Sequence, residues 1–187
     1  MSFYKDELKK WLRPKKLKAD RILCAGNMHD DLLYFSDVEY KECETIDIDP
    51  QYKPTYLHDL NKNILFDLPH IKPFDTILAF ELFEYLWNPV QAFQNFREIL
   101  KSGGELWLSV PFIYPLHNPE GTDYLRVTEW GIKKILSETG FEVVEFAYRN
   151  WEDNYWHSQA VIADRMKPAK NYKHHNATGY LIRAKKI

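Results

Sequence analysis

Short apolar runs alternate along this chain with longer stretches in which apolar residues return every three or four positions. Residues 21–25 (Arg-Ile-Leu-Cys-Ala) form a run that stops at Gly26, and residues 74–80 (Phe-Asp-Thr-Ile-Leu-Ala-Phe) form another. A third, 105–110, is stopped by Pro111. Runs of this length bounded by Gly or Pro predict strands buried on both faces. Residues 44–48 predict a further strand closed by Asp49-Pro50, Tyr56 and Leu57 a short one, and 141–147 and 180–184 the last two. Helical spacing lies between these runs. Phe3, Tyr4, Leu8, Trp11 and Leu12 share a face that ends at Pro14, and a short helix is expected across Asp30 to Phe35. Asn88-Pro89 reads as an N-cap followed by Pro at the first helical position. Val90, Phe93, Phe96 and Leu100 then repeat at helical spacing, and Gly103-Gly104 is expected to end that helix. Thr128 caps a helix running to Thr139 and stopped by Gly140. The alternation from residue 20 to about 147 predicts one α/β domain, a mostly parallel sheet covered on both faces. Residues 149–178 break the rhythm. They are long, aromatic and turn-rich, and Trp151, Tyr155, Trp156 and His157 suit a lid or a partner surface, such as a homodimer contact.

The 187 residues fit one domain with a substantial core. A net charge of -2 gives no field that would imply nucleic acid or an anionic membrane as partner. The one local bias, Lys9, Lys10, Arg13, Lys15, Lys16 and Lys18, reads as a solvated basic face, with an RNA contact as the alternative. Cys24 and Cys43 are the only cysteines and form no Cys-x-x-Cys pair. The N-terminus is charged and lacks an apolar signal region, and no apolar run approaches the roughly 20 residues that span a bilayer. A cytoplasmic location is expected. Aromatics at 16% are abundant enough to serve both a core and a ligand pocket.

In open parallel α/β sheets, ligands sit beyond the carboxyl ends of the strands, where the strand order reverses. The first strand leaves through Cys24-Ala25-Gly26-Asn27, and Gly26 permits a sharp turn that brings backbone amides to a ligand. Asp47, with Ile48 after it, ends the second strand about 20 residues later, a spacing suited to a carboxylate on ribose hydroxyls. Asp59, with Leu60 after it, follows the third strand and can accept from an exocyclic amine. Phe80 and Glu81 reach the same rim from the fourth strand. A structural turn at Gly26 and a helix-capping role for Asp47 are the alternative for that pair, and a capping or turn role accounts for Asp59 equally well.

The segment 74–86 resembles the fourth-strand motif of class I S-adenosylmethionine-dependent methyltransferases, with Phe83-Glu84-Tyr85 in place of its Leu-Glu-His. Residues 99–106, Ile-Leu-Lys-Ser-Gly-Gly-Glu-Leu, resemble its Leu-Lys-Pro-Gly-Gly turn, and Gly140-Phe141-Glu142-Val143 the turn into its sixth strand. The resemblance covers about two-thirds of the chain, from Arg21 to Glu145. It implies a Rossmann-like three-layer sandwich with a seven-stranded, mostly parallel sheet whose last strand, 180–184, is antiparallel. It also implies S-adenosyl-L-methionine as cofactor. Cys24, Ala25, Gly26 and Asn27 would lie against its methionine part, Asp47 and Ile48 at the ribose, Asp59 and Leu60 at the adenine, and Phe80 and Glu81 beside the sulfonium. The chain departs from the family at the first loop. Cys24 stands where an acidic residue is usual, and Gly26 is the one glycine kept of Gly-x-Gly-x-Gly.

Residues 111–128 leave the fifth strand at the ligand edge and are expected to cover it, resembling a loop in small methyltransferases that act on sugars or glycans. His117 is the candidate base, since its ordinary pKa lies near neutrality. Tyr85, Tyr114, Asp123 and Arg126 are candidate substrate contacts, although Asp123 and Arg126 can equally pair with each other. Neither cysteine is placed for nucleophilic attack on a base, and His174-His175 lack the further ligands of a metal site. The expected substrate is a small polar molecule bearing a hydroxyl or amine. The alternative is a cofactor-binding or interaction protein of the same fold without catalysis. A nicotinamide-dependent oxidoreductase is disfavoured because the Gly-x-Gly-x-x-Gly phosphate turn is absent.

Overall fold

The computed structural model describes residues 3–26, 38–114, 116, 121–150 and 177–187. Its strands are β1 (Lys18–Ala25), β2 (Glu39–Asp47), β3 (Tyr56–Leu57), β4 (Phe74–Phe80), β5 (Leu100–Pro111), β6 (Phe141–Asn150) and β7 (Ala177–Lys186). They form one seven-stranded sheet in the order β3-β2-β1-β4-β5-β7-β6. The pairs from β3 to β5 are all parallel. β7 is antiparallel to both of its neighbours, β5 and β6. The described α-helices are α1 (Phe3–Leu12), α2 (Ile64–Asp67), α3 (Pro89–Ile99) and α4 (Glu129–Glu138).

Successive residues of a strand face opposite sides of the sheet, and here both sides are covered. Leu23 and Ala25 of β1 join Ile77, Ala79, Leu106 and Leu108, against Phe93 and Phe96 of α3 and Ile132 and Leu136 of α4. Ile22 and Cys24 join Leu78, Phe80, Trp107 and Leu181 on the other side, under Leu8, Trp11 and Leu12 of α1. This explains why the second half of β1 and most of β4 read as apolar runs. Trp11 meets Trp107 at 5.3 Å between ring centroids. Its indole N–H donates to Glu145 at 2.9 Å, and Lys15 holds the same carboxylate at 2.5 Å. Lys18 pairs with Glu39 at 2.6 Å and Lys10 with Glu7 at 2.8 Å. Much of the basic run is thus matched by carboxylates of the chain itself. Among the described residues, no helix is long and apolar enough to cross a membrane.

Several boundaries differ from expectation. β1 and β2 begin earlier, at Lys18 and Glu39, and their first halves are largely polar and at least partly exposed. Asn88 caps α3 by accepting from the Gln91 amide, as expected, but the helix ends at Ile99 rather than at Gly103-Gly104. The two glycines belong to the start of β5. Gly103 turns the chain at φ +70°, and a side chain on Gly104 would sit 3.0 Å from the carbonyl oxygens of Asp75 and Lys101. Val90 is exposed, so the buried face of α3 is Ala92, Phe93, Phe96 and Ile99. Thr128 caps α4 through the Gly131 amide. β6 runs on to Asn150 and β7 starts at Ala177, which narrows the aromatic interruption to 151–176. That segment, with its expected lid residues, and the helix expected across Asp30 to Phe35 lie outside the described residues.

Candidate active site at the carboxyl edge of the sheet

The strand order reverses between β1 and β4, and the residues leaving β1, β2 and β4 meet at that gap. Gly26 turns out of β1 at φ +80°, and its amide donates to the Ile46 carbonyl at 3.0 Å. A side chain there would meet Leu82 Cδ1 at 3.3 Å. Gly26→Ala is therefore expected to cost about 1–2 kcal/mol for the left-handed backbone alone. Scanning fluorimetry should show a fall in Tm of roughly 2–8 °C, and an unchanged Tm would mean that the turn relaxes.

Cys24 and Ala25 are wholly buried, so they offer a ligand backbone rather than side chains. The Sγ atoms of Cys24 and Cys43 lie 3.7 Å apart. The Cys43 thiol, and then burial, push the Cys24 thiol far above its ordinary range, which leaves it inert as a nucleophile. Asn27 lies outside the described residues.

Asp47 closes β2 with a half-buried carboxylate that accepts the Asp49 amide at 2.8 Å. Burial raises its pKa, against the lowering effect of the Asp49 and Ile48 amides. Ile48, beside it, is 64% exposed at the rim. The His58 amide donates to the Asp47 carbonyl at 2.9 Å and ties the end of β3 to this corner. Asp59 serves a turn, with Oδ1 accepting from the Asn61 backbone amide at 3.0 Å and its side-chain amide at 2.8 Å. Its other oxygen lies 3.8 Å from Lys62 Nζ. Leu60 packs into the core, 6% exposed.

At the end of β4 the two expected residues part company. Phe80 turns into the core beside Trp107 and Leu181. Glu81 stays at the rim in a left-handed conformation, φ +51°. Such a backbone costs a non-glycine residue about 1–3 kcal/mol and persists where its surroundings over-determine it. Here the Glu81 amide donates to Ser109 Oγ at 2.8 Å, and Ser109 Oγ donates back to Glu81 Oε1 at 2.6 Å. The wholly buried Arg149 of β6 pairs with the same oxygen.

Above this edge the chain after β5 docks on the turn that follows β4. The Tyr124 and Leu125 amides donate to the Glu84 carbonyl at 2.7 and 3.2 Å. Asp123 and Arg126 pair with each other through both oxygens and both terminal nitrogens. Arg126 also donates to the Leu125 carbonyl at 2.8 Å and the Tyr114 carbonyl at 3.4 Å. The pair thus braces this segment of the chain. Burial, followed by the carboxylates of Glu84, Asp123 and Glu81, pushes the Tyr85 phenol up to about 12. Burial and Glu81 also raise Tyr114. Both phenols therefore stay protonated near neutrality and can hydrogen-bond a substrate but not act as bases. His117 and His174-His175 lie outside the described residues.

Sequence reasoning missed Ser109 and Arg149. A serine interrupting the apolar run Leu-Trp-Leu-Ser-Val is a signal that could have marked the first. The second sat in the segment read as an interruption, and its partner is 68 residues away.

The seven-stranded sheet with its antiparallel β7 is that of the S-adenosylmethionine-dependent methyltransferase fold. No protein-family model matches the chain, and no curated protein matches it. Among solved structures, the N-methyltransferase NodS from Bradyrhizobium japonicum WM9, in complex with S-adenosyl-L-homocysteine, is similar at TM-score 0.64 and 16% identity, over 99% of this chain and 88% of that one. An S-adenosylmethionine-dependent methyltransferase from Mesorhizobium loti gives TM-score 0.64 and 11% identity, over 98% of each chain. The [4+2]-cyclase SpnF gives TM-score 0.65 and 17% identity, over 97% of this chain and 80% of that one. At these identities the likeness establishes the fold, and the cyclase among the three means that the fold by itself does not name the reaction.

Proposed function

We propose that this protein is an S-adenosyl-L-methionine-dependent methyltransferase acting on a small polar acceptor, a hydroxyl or amine compound such as a sugar derivative. The observation that carries the reading is the meeting of Gly26, Asp47 and Glu81 at the switch point of the sheet, in a fold shared with an enzyme solved with S-adenosyl-L-homocysteine. The donor set suits the cofactor. Asp47 offers two acceptor oxygens to a pair of ribose hydroxyls, Ile48 offers exposed apolar surface for a ring, and the turn at Gly26 has no side chain to obstruct backbone approach. The bound cofactor would supply an activated methyl group for in-line displacement. The chain's task is then to orient and enclose the reactants, which is where such catalysis gains most of its rate. Tyr85 and Tyr114, both held neutral, would hydrogen-bond the acceptor, and the Asp123–Arg126 brace would fix the segment above it. A net charge of -2 fits a small molecule better than nucleic acid.

Calorimetric titration with S-adenosyl-L-homocysteine tests the cofactor independently of the acceptor, and a screen for its release against sugars, amines and tRNA tests the acceptor. No binding would reject the cofactor reading, and transfer to tRNA alone would reject the small-molecule one. A second reading, a cofactor-binding protein without methyl transfer, is favoured by buried Cys24 standing where the family has an acid. It predicts tight binding with no turnover on any acceptor.

The pH dependence follows from Asp47. Burial raises its pKa in the unliganded protein, whereas hydroxyl donors from a ligand favour the ionised form. Binding should therefore release a proton while Asp47 titrates, and S-adenosyl-L-homocysteine affinity should climb with pH through that range and level off above it. Calorimetry in a series of buffers measures both. Affinity that falls with rising pH in the acid range would remove Asp47 from the site.

A further inference from the structure

We propose that Arg149, on β6, is a positioning residue for the cofactor cleft, acting across the sheet through Glu81. Arg149, Gly179 and Pro111 stand in one row across β6, β7 and β5, and β4 follows. The arginine side chain runs along that row. Its Cδ lies 3.4 Å from where a side chain on Gly179 would begin, and the Val110 carbonyl oxygen lies 2.6 Å from the same point. Gly179 thus leaves the space through which the arginine crosses β7. The guanidinium ends on Glu81 Oε1, the oxygen that also accepts from Ser109.

An arginine buried this completely is a poor device for stability alone, because the desolvation of its charge offsets much of what the ion pair gains. What it secures is a conformation. With its carboxylate held by Arg149 and its amide by Ser109, Glu81 stays in the left-handed turn, and the turn sends Leu82 back against β1. Leu82 Cδ1 lies 3.3 Å from the Cβ position of Gly26. The path from Arg149 through Glu81 and Leu82 therefore ends on the glycine turn that the cofactor reading places under the ligand. The inference rests on that reading.

The test measures S-adenosyl-L-homocysteine affinity by calorimetry for the wild type, Arg149→Met, Glu81→Gln and the double variant, below the lowest melting temperature and with ligand-free Tm recorded for each. Each single change is expected to weaken binding about tenfold, and the double variant to be no weaker than the worse single, because both break one path. Arg149→Lys, which keeps the charge without the planar fork, should recover part of the loss. A purely structural arginine would lower Tm and leave the affinity of the folded protein unchanged, and that result, or additive losses in the double variant, overturns the proposal. If Arg149→Met does not fold, Ser109→Ala takes its place. It removes the amide's acceptor while leaving the ion pair, and is expected to weaken binding roughly three- to tenfold; unchanged affinity overturns the proposal equally. Wild-type protein that does not bind the ligand overturns the cofactor reading and this inference together, whereas wild-type binding with unaffected variants overturns the inference alone.

Discussion

Replacing Asp47 with alanine is expected to weaken S-adenosyl-L-homocysteine binding about 10- to 100-fold, the worth of charge-assisted hydrogen bonds at roughly 1.5–3 kcal/mol. The same carboxylate should matter little to folding. Its pKa is raised by burial, so the folded chain holds the proton more tightly than the unfolded one. The ionised form therefore subtracts from stability as pH rises through the titration, and continues to do so at neutral pH. Asp47→Asn removes that charge while keeping an acceptor for the Asp49 amide, now bonded at 2.8 Å, and should melt no lower than the wild type at neutral pH. Calorimetry and thermal melts on both variants read the two effects separately. Full affinity in Asp47→Ala would place the cofactor elsewhere. A loss of affinity matched by a large fall in Tm would make Asp47 a structural residue.

The largest expected effect on stability comes from the opposite face of the sheet. Trp107 is 2% exposed. It meets Trp11 at 5.3 Å, lies under the Arg183 guanidinium at 5.2 Å, and donates its indole N–H to Glu105 at 2.9 Å. Trp107→Ala should cost about 3–5 kcal/mol, a fall in Tm of roughly 6–20 °C. Much of that loss belongs to α1, whose Trp11 would face a void. Limited proteolysis should then cut first after the lysines of α1. A fall of less than about 3 °C would mean that α1 repacks onto the strands without the indole.

What the sequence allowed to be read divides along physical lines. The stretches buried on both faces, the second half of β1 and the end of β4, announced themselves because neither side could be polar. The exposed first half of β2 carries no apolar signal and was visible only once paired with β1. Caps at Asn88 and Thr128 were readable because a cap is a local contact between neighbours in sequence. The stop of α3 was misplaced because two glycines suggest a helix end, whereas here Gly104 answers to the carbonyls of Asp75 and Lys101 packed against it. Gly26 and Asp47 were named because each follows directly from ending a strand. Ser109 and Arg149 were not, since an arginine becomes a buried partner only through a fold that carries it across β7. The family motif suggested a ring and a carboxylate together at Phe80 and Glu81. The left-handed turn at Glu81 separates them, one into the core and one to the rim.

The position of β7 bears on the order in which the molecule can be assembled during synthesis. β6 joins the described sheet through β7, yet β7 leaves the ribosome after every other described strand. Sixty-six positions separate Pro111 at the end of β5 from Ala177 at the start of β7. At about 5–20 residues per second, a nascent chain carries β5 as an open edge for roughly 3–13 s before the strand that covers it has been made. Until then Arg149, once made, has no Gly179 to cross and no fixed route to Glu81. The rim at β4 is therefore the part of this protein that a chaperone-bound or stalled chain would lack, even with the parallel half of its sheet already formed.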